Sequence, residues 1–169
     1  MEKENQEQLH KRNMLRNYLK RYRKAENNVE ILRRRRNNLI EDMKYPLGTQ
    51  NISSLPNNNE PGAGAASYIF RQSELEERIY AQECEAKKIM LQIMDIMDFL
   101  PAESENRSVL ELKYIDGHSD KDIIKIKFYS NRSTLSYHLA NGLDELLQFA
   151  KVQKIIEEFD ESDLTEESE

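Results

Sequence analysis

The sequence predicts an all-α protein in which a long antiparallel helical hairpin, a coiled-coil-like arm, is followed by a C-terminal helix-turn-helix domain. Two segments, 11–44 and 67–100, carry apolar side chains in steps of three and four and contain neither glycine nor proline, which is the pattern of amphipathic helices. A third segment, 101–150, alternates capping residues with short apolar faces. Charged residues make up 33% of the chain and hydrophobic residues 38%, a balance that favours exposed helices over a large core.

The first helix of the arm is predicted over residues 11–44, behind a frayed N-terminus at 1–10. Its seam is apolar except for one arginine and consists of Leu15, Tyr18, Tyr22, Ala25, Val29, Leu32, Arg36, Leu39 and Met43. Residues 1–44 hold 13 Lys and Arg against 7 Asp and Glu, so this end of the chain is basic. The four arginines at 33–36 ring the helix, either as a solvated surface or as a contact for phosphates or an acidic protein surface.

A linker and a second helix complete the arm. Residues 45–66 are predicted to be a flexible linker, because Pro46 cannot continue a helix and because Pro, Gly and Asn are frequent after it. The second helix is predicted over 67–100 with Ser67 as its N-cap, and its seam consists of Leu75, Ile79, Gln82, Ala86, Ile89, Ile93, Ile96 and Leu100. Helices of equal length favour a hairpin within one chain, and the long linker leaves pairing between two chains, a homodimer, as the alternative. Cys84 lies off the seam and is interpreted as a surface thiol without function.

Segment 101–150 predicts three short helices. Pro101 is expected at the first position of the first helix, where its missing N–H would have no partner in any case. Gly117 is expected after the last turn of that helix, where φ is positive. Ser119 caps the second helix, with Asp122 completing an approximate capping box. The apolar faces consist of Val109, Leu110, Leu112, Tyr114 and Ile115, then Ile123, Ile124 and Ile126, then Leu135, Leu139, Leu143 and Leu146.

The third helix of this segment, capped by Ser130 or Asn131, is the candidate DNA-reading element. Its face opposite the leucines is polar and slender enough to enter a major groove. Arg132 lies in the first turn, where a guanidinium can pair with guanine O6 and N7. The residues predicted to bind DNA are Lys121, Lys125, Ser130, Asn131, Arg132, Ser133, Thr134, Ser136, Tyr137 and Asn141. The alternative is a three-helix packing unit that binds no nucleic acid.

Part of this segment resembles region 4 of bacterial sigma-70 factors. The resemblance rests on Leu100-Pro101, Tyr114-x-x-Gly117-x-Ser119, Ile123-Ile124, Tyr129-Ser130 and Arg132-Ser133-Thr134-Leu135. With the long helical N-terminal half, it makes the chain similar to phage late-gene transcriptional regulators of the ArpU/RinA kind. It covers under a third of the chain, and 130–134 has one residue more than the family's Ser-x-Ser-Thr. The resemblance implies a regulator that binds double-stranded promoter DNA through this segment and engages RNA polymerase, associated with the nucleoid of a bacterial host.

The last part of the chain is acidic. Residues 151–169 hold 8 Asp and Glu against 2 Lys and Arg. A continuation of the preceding helix is predicted through Ile155, Ile156 and Phe159. Disorder is predicted for 160–169, because six of these ten residues are acids and one is a leucine, too few apolar groups to hold a fold.

Composition and spacing argue against several classes of protein. No apolar run reaches the ~18 residues of a membrane span, and the N-terminus lacks the apolar region of a signal peptide. With Cys84 as the single cysteine, these features favour a cytoplasmic location. His10, His118 and His138 have no neighbours at metal-ligand spacing, so neither a metal nor another cofactor is expected. No nucleophile–base arrangement stands out, and an enzyme is not expected.

Two functions other than transcriptional regulation are also consistent with the sequence. A DNA-packaging protein of the small-terminase type also combines a helix-turn-helix with a helical oligomerisation hairpin, although its usual order puts the DNA module first. A coiled-coil scaffold without DNA binding is the other. Native mass separates these functions, because a large ring favours packaging whereas a monomer or dimer favours regulation.

Overall fold

Six α-helices make up the part of the chain that the structure describes, which is 2–44 and 63–166, with side chains at 6–43 and 67–159. In this computed structural model they are α1 (Glu2–Lys44), α2 (Ala63–Met97), α3 (Glu105–Tyr114), α4 (Asp120–Ile126), α5 (Arg132–Leu147) and α6 (Ala150–Glu166). No strand occurs in these ranges, so the all-α prediction is confirmed. None of the described helices is long and apolar enough to cross a membrane.

Two compact units divide the chain, and the boundary between them falls inside helices. The first unit comprises Met1–Lys24 and Lys87–Glu169, and the second comprises Ala25–Ala86. The N-terminal half of α1 therefore belongs to the first unit and its C-terminal half to the second, while α2 is divided the other way round.

The second unit is built from one half of each arm helix. Its buried side chains are the seam residues Val29, Ile79 and Ala86. Arg33 of α1 forms an ion pair with Glu83 of α2, with an N–O distance of 2.6 Å. Arg34 instead binds Glu30, one turn back on α1, at 2.7 Å. Two arginines of the basic run thus bind carboxylates of this chain.

The core of the first unit draws on all six helices. Its most deeply buried side chains are Leu15, Leu19, Ile93, Ile96, Met97, Val109, Leu110, Ile123, Leu135, Leu143, Leu146 and Ile156. Leu19 lies outside the predicted seam but one turn after Leu15, so the buried face of α1 is wider here than a two-position heptad seam. The guanidinium of Arg12 on α1 donates two hydrogen bonds to the carboxylate of Asp144 on α5. The start of the predicted arm therefore packs with the helices that follow it.

Both arm helices begin earlier than predicted. α1 begins at Glu2, so the expected fraying of 1–10 is wrong for the described residues. This stretch contains no glycine or proline, and Lys11 pairs with Glu7 at 3.0 Å, an i,i+4 contact that supports a helix. α2 begins at Ala63, so Ser67 lies inside the helix and is not its N-cap. The linker prediction at 45–62 falls outside the described residues.

Pro101 does not open α3, contrary to the prediction. The helix begins at Glu105, and Ser104 occupies the N-cap position without a side-chain cap bond. The Pro101 carbonyl instead accepts a hydrogen bond from the Ser104 N–H at 2.9 Å, which closes a turn between α2 and α3. Arg107 donates to the Leu100 carbonyl at 3.1 Å. Because the turn uses 101–104, the first helical position moves four residues along the chain.

α6 is a separate helix and not an extension of α5. α5 ends at Leu147, and α6 runs from Ala150 to Glu166, so the disorder predicted from residue 160 is not seen up to 166; residues 167–169 lie outside the described part. Ile156 is buried, and the ring of Phe159 meets that of Tyr18 edge-on at 5.4 Å. These contacts anchor the helix, which composition alone could not reveal.

α3 and α5 approach closely at a glycine. A Cβ atom at Gly142 would lie 2.8 Å from Leu110 Cδ1 and 3.2 Å from Asn106 Cβ. Leu110 is fully buried, so it has little room to give way. The absence of a side chain at Gly142 therefore sets the distance between these two helices.

Candidate functional site

One small core fixes α3, α4 and α5 together. It consists of Val109, Ile123 and Leu135, one residue from each helix and each at most 1% exposed. Partly buried side chains packed against it are Leu112, Ile124, Tyr129 and Leu139. Lys113 of α3 also binds the carboxylate of Asp120 at the start of α4. The first turns of α4 and α5 are thus held in fixed positions.

Most of the residues predicted to bind DNA lie on the surface of this three-helix unit. Eight of the ten are exposed, namely Lys121, Lys125, Ser130, Asn131, Arg132, Ser133, Ser136 and Tyr137. Thr134 and Asn141 are half-buried. Since Leu135 faces the core, the first two turns of α5 have one apolar anchored side and one polar side open to solvent.

Arg132 is the exposed cation at the start of α5. Its side chain is 77% exposed, and Nη2 lies 3.1 Å from Asp120 Oδ2. Asp120 also accepts a hydrogen bond from Lys113, and this bond, followed by the charges of Lys113 and Arg132, holds the pKa of Asp120 below its ordinary value. If Arg132 turned towards a ligand, Asp120 would keep Lys113. The movement therefore costs no more than an exposed ion pair, about 0–1 kcal/mol.

Asn131 is the N-cap of α5, which settles the choice between Ser130 and Asn131. Its Oδ1 accepts hydrogen bonds from the Thr134 N–H at 3.0 Å and the Thr134 hydroxyl at 3.1 Å. Ser119 caps α4 in the predicted way, accepting from the Asp122 N–H at 3.3 Å. Asn131 and Thr134 therefore position the helix, and the cap engages the Asn131 Oδ1 and the Thr134 hydroxyl.

Replacing Asn131 with alanine is expected to lower the free energy of unfolding by about 0.5–2 kcal/mol, because two donors of the first turn of α5 lose their acceptor. Urea denaturation followed by circular dichroism measures this change. Ser130→Ala is the matched control, since Ser130 is the exposed neighbour that does not cap the helix. Equal losses for the two variants would show that the cap contributes nothing.

α3 and α4 are each followed by a residue at positive φ, but their backbone hydrogen bonds differ. At the end of α3, the His118 N–H binds the Leu112 carbonyl, six residues back, at 2.9 Å. Gly117, the residue before His118, has φ 73°. At the end of α4, Tyr129 N–H binds the Ile124 carbonyl at 2.9 Å. The α4 ending is a Schellman motif: Phe128 N–H also binds the Lys125 carbonyl at 3.3 Å, and Phe128, the residue after the C-cap, takes the left-handed conformation.

Phe128 occupies that left-handed position at the end of α4. Its φ is 53°, a conformation that costs a residue with a Cβ atom roughly 1–2 kcal/mol. Its side chain is 94% exposed, so no packing offsets this cost. Tyr129, the next residue, packs against the core and donates a hydrogen bond to Glu105; burial and this bond raise the pKa of the Tyr129 phenol.

The segment that contains the first half of α5 lacks acidic residues. Residues 123–143 contain no Asp or Glu but include Lys125, Lys127 and Arg132. Lys127 binds Glu105 at 3.1 Å, and Lys125 is exposed. This segment therefore differs from the chain as a whole, whose net charge is −6.

His138 contributes to packing between α3 and α5. Its Nδ1 lies 2.8 Å from Asn106 Oδ1, and its ring stacks on that of Tyr129 with centroids 5.5 Å apart. Asn106 in turn donates to Glu145 at 2.9 Å. Among the described side chains, no group of three or more His, Cys, Asp or Glu is arranged to hold a metal ion.

A concave feature lies elsewhere in the first unit. It is a cleft of about 390 Å³ lined by Tyr18, Arg21, Gln92, Asp95, Ile96, Phe99, Lys151, Ile155, Glu158 and Phe159. The guanidinium of Arg21 lies over the rings of Tyr18 and Phe159, 5.0 and 5.2 Å from their centroids. The four charged residues are two cations and two carboxylates, so the cleft offers no net charge to a ligand.

Three residues that shape the site were missed in the sequence. Asp120 pairs with Arg132, Gly142 sets the approach of α3, and Phe128 stands where a glycine would be expected. The signal for Phe128 is a bulky residue just after a helix end, which becomes visible only once that end is known.

Comparisons with protein-family models, with curated proteins and with solved structures find no match for this chain.

Proposed function

We propose that this protein is a sequence-specific DNA-binding regulator of transcription, in which α4, the following turn and α5 form a sigma-region-4-like helix-turn-helix. The observation that carries the proposal is the arrangement of the first two turns of α5. Arg132, Ser133, Ser136 and Tyr137 are exposed there while Leu135 is anchored in the three-helix core. A recognition helix needs this combination, because its N-terminal side chains must reach base edges from a fixed backbone.

Charge supports the same partner. Lys121 and Lys125 are exposed on α4, the helix that crosses the DNA backbone in a helix-turn-helix. Cations in such positions bind phosphates and set the register of the protein on the duplex without reading sequence. Sequence would then be read by α5, with Arg132 as its most versatile donor.

The proposal also covers the arm. We infer that α1 and α2 pair antiparallel: in the second unit Arg33 binds Glu83, and in the first unit Tyr18 and Gln92 line one cleft. A homodimer through this arm and contact with RNA polymerase are further parts of the proposal. The link to the polymerase and to phage late genes comes from the sequence resemblance. Native mass spectrometry tests the assembly, because a large ring would favour DNA packaging over regulation.

Arg132→Ala is expected to weaken binding to the preferred DNA site by about 5- to 150-fold, the equivalent of roughly 1–3 kcal/mol for a bidentate base contact. Preference should relax at one base pair, whereas binding to random duplex should change little. The measurement is selection of sites from a randomised duplex library, followed by fluorescence anisotropy with the selected site and a scrambled one.

Arg78→Ala is the matched control for this experiment. Arg78 is also an exposed arginine in a single ion pair, with Glu74, and its side chain is 64% exposed. It lies in the second unit and is expected to leave the selected sequence unchanged. If wild type selects no sequence, or if both variants keep the wild-type profile, α5 does not read DNA through Arg132.

A further inference from the structure

Phe128 is accounted for neither by packing nor by backbone geometry. At the end of α3 the chain uses Gly117 for a positive φ, which glycine adopts without strain. At the end of α4 it places a phenylalanine in that conformation. The ring is almost fully exposed, so it stabilises no contact among the described residues.

The position of this ring points to a partner that meets the start of α5. Phe128 lies three residues after Lys125 and four before Arg132, in the segment 123–143, which has no carboxylates of its own. Glu105 of α3 binds Lys127, and Asp120 binds Arg132, whose side chain is still 77% exposed. The partner that fits this setting is a polyanion with apolar groups at its surface. In the DNA major groove the apolar group presented by a base edge is the C5-methyl of thymine, which phenylalanine is able to contact.

We infer that Phe128 is a specificity residue of the DNA interface, which contacts one thymine methyl at the edge of the site read by α5. This inference rests on the proposed function. The strained backbone has a physical role in it, because the left-handed conformation at this position sets the direction of the Cα–Cβ bond of a side chain that is 94% exposed.

The test uses the full chain and the duplex site that wild type selects from a randomised library. Phe128→Gly removes the ring and relieves the backbone, so the thermal midpoint should stay unchanged or rise by up to roughly 2–4 °C. Its preference for thymine at one position should fall about fourfold, the effect of no longer burying one methyl-sized group. Ile126→Ala is the control, since Ile126 is an exposed apolar residue two positions before Phe128, at the end of α4, and is 45% exposed.

Deoxyuridine isolates the methyl group. Each thymine of the selected site is replaced singly by deoxyuridine, which lacks only the C5-methyl. Wild type and Ile126→Ala should lose about fourfold in affinity at one position, and Phe128→Gly should lose nothing at that position. Agreement between this position and the one relaxed in the Phe128→Gly selection supports the inference.

The other outcomes overturn it in distinguishable ways. If wild type selects no sequence, the proposed function fails and the inference falls with it. If wild type selects a site but Phe128→Gly keeps the same profile or the same deoxyuridine loss, the inference alone fails. A lower thermal midpoint for Phe128→Gly would assign the ring to folding. Unchanged DNA binding with loss of self-association, or of binding to purified RNA polymerase, would assign it to a protein partner.

Discussion

Replacing Ile93 with alanine is expected to lower the free energy of unfolding of the first unit by about 2–5 kcal/mol. Ile93 lies on α2 with no exposed surface, in a core to which all six helices contribute. Truncation removes three methyl-sized groups and leaves a cavity that the neighbouring side chains fill only in part. Most domains are stable by only about 5–15 kcal/mol, so a loss of this size is a large fraction of the total free energy of unfolding.

Urea denaturation of the full chain, followed by circular dichroism, measures the loss. Leu91→Ala is the matched control: it removes a similar aliphatic side chain two residues earlier, but Leu91 is 58% exposed. A surface substitution of this kind usually changes stability by within about 0.5 kcal/mol. If the two variants unfold at the same urea concentration, the buried face of α2 has been placed wrongly.

Gly142→Leu is expected to destabilise the three-helix unit by about 1–3 kcal/mol. Leucine stabilises a helix relative to glycine by about 1 kcal/mol, so any net loss of stability must come from packing. The new Cβ would meet Leu110 and Asn106, and the rest of the side chain would push α3 away from α5. That displacement would also disturb the hydrogen bonds of Asn106 to His138 and Glu145.

Ser136→Leu provides the comparison for Gly142→Leu. Ser136 is exposed on the same helix, so the substitution improves helix propensity without a clash and should leave stability unchanged or slightly raised. Differential scanning calorimetry resolves the two variants. A Gly142→Leu protein that melts at or above the wild-type temperature would mean that α3 can move at no cost, and that glycine is not needed at this crossing.

Periodicity allowed most of the buried faces to be predicted. Seam residues of both arm helices, from Leu15 on α1 to Ile96 on α2, are buried or half-buried in the structure, with Gln82 as the exposed exception. This part was predictable because an amphipathic helix repeats every 3.6 residues whatever it packs against. Local chemistry also placed Gly117 at a positive φ and Ser119 at an N-cap.

Helix ends away from such local signals were predicted poorly. Pro101 closes a turn, α2 begins before Ser67, and α6 reaches Glu166. For Pro101 the local signal was overruled by a backbone hydrogen bond that closes the turn, and for the C-terminal segment by the burial of Ile156 in the core. Composition measures how much apolar surface a segment has, but not whether a partner is present to bury it.

The helical class, the buried stripes and the polar face of α5 were predictable from local patterns, because each depends on residues within a few turns of one another. Packing between helices was needed to show that Arg132 shares Asp120 with Lys113, that Gly142 admits α3, and that the ring of Phe128 finds no packing. Those features depend on residues far apart in the chain, whose distance is set by how the helices pack. The spacing of residues along a helix determines which face each side chain lies on, whereas packing between helices determines which faces meet.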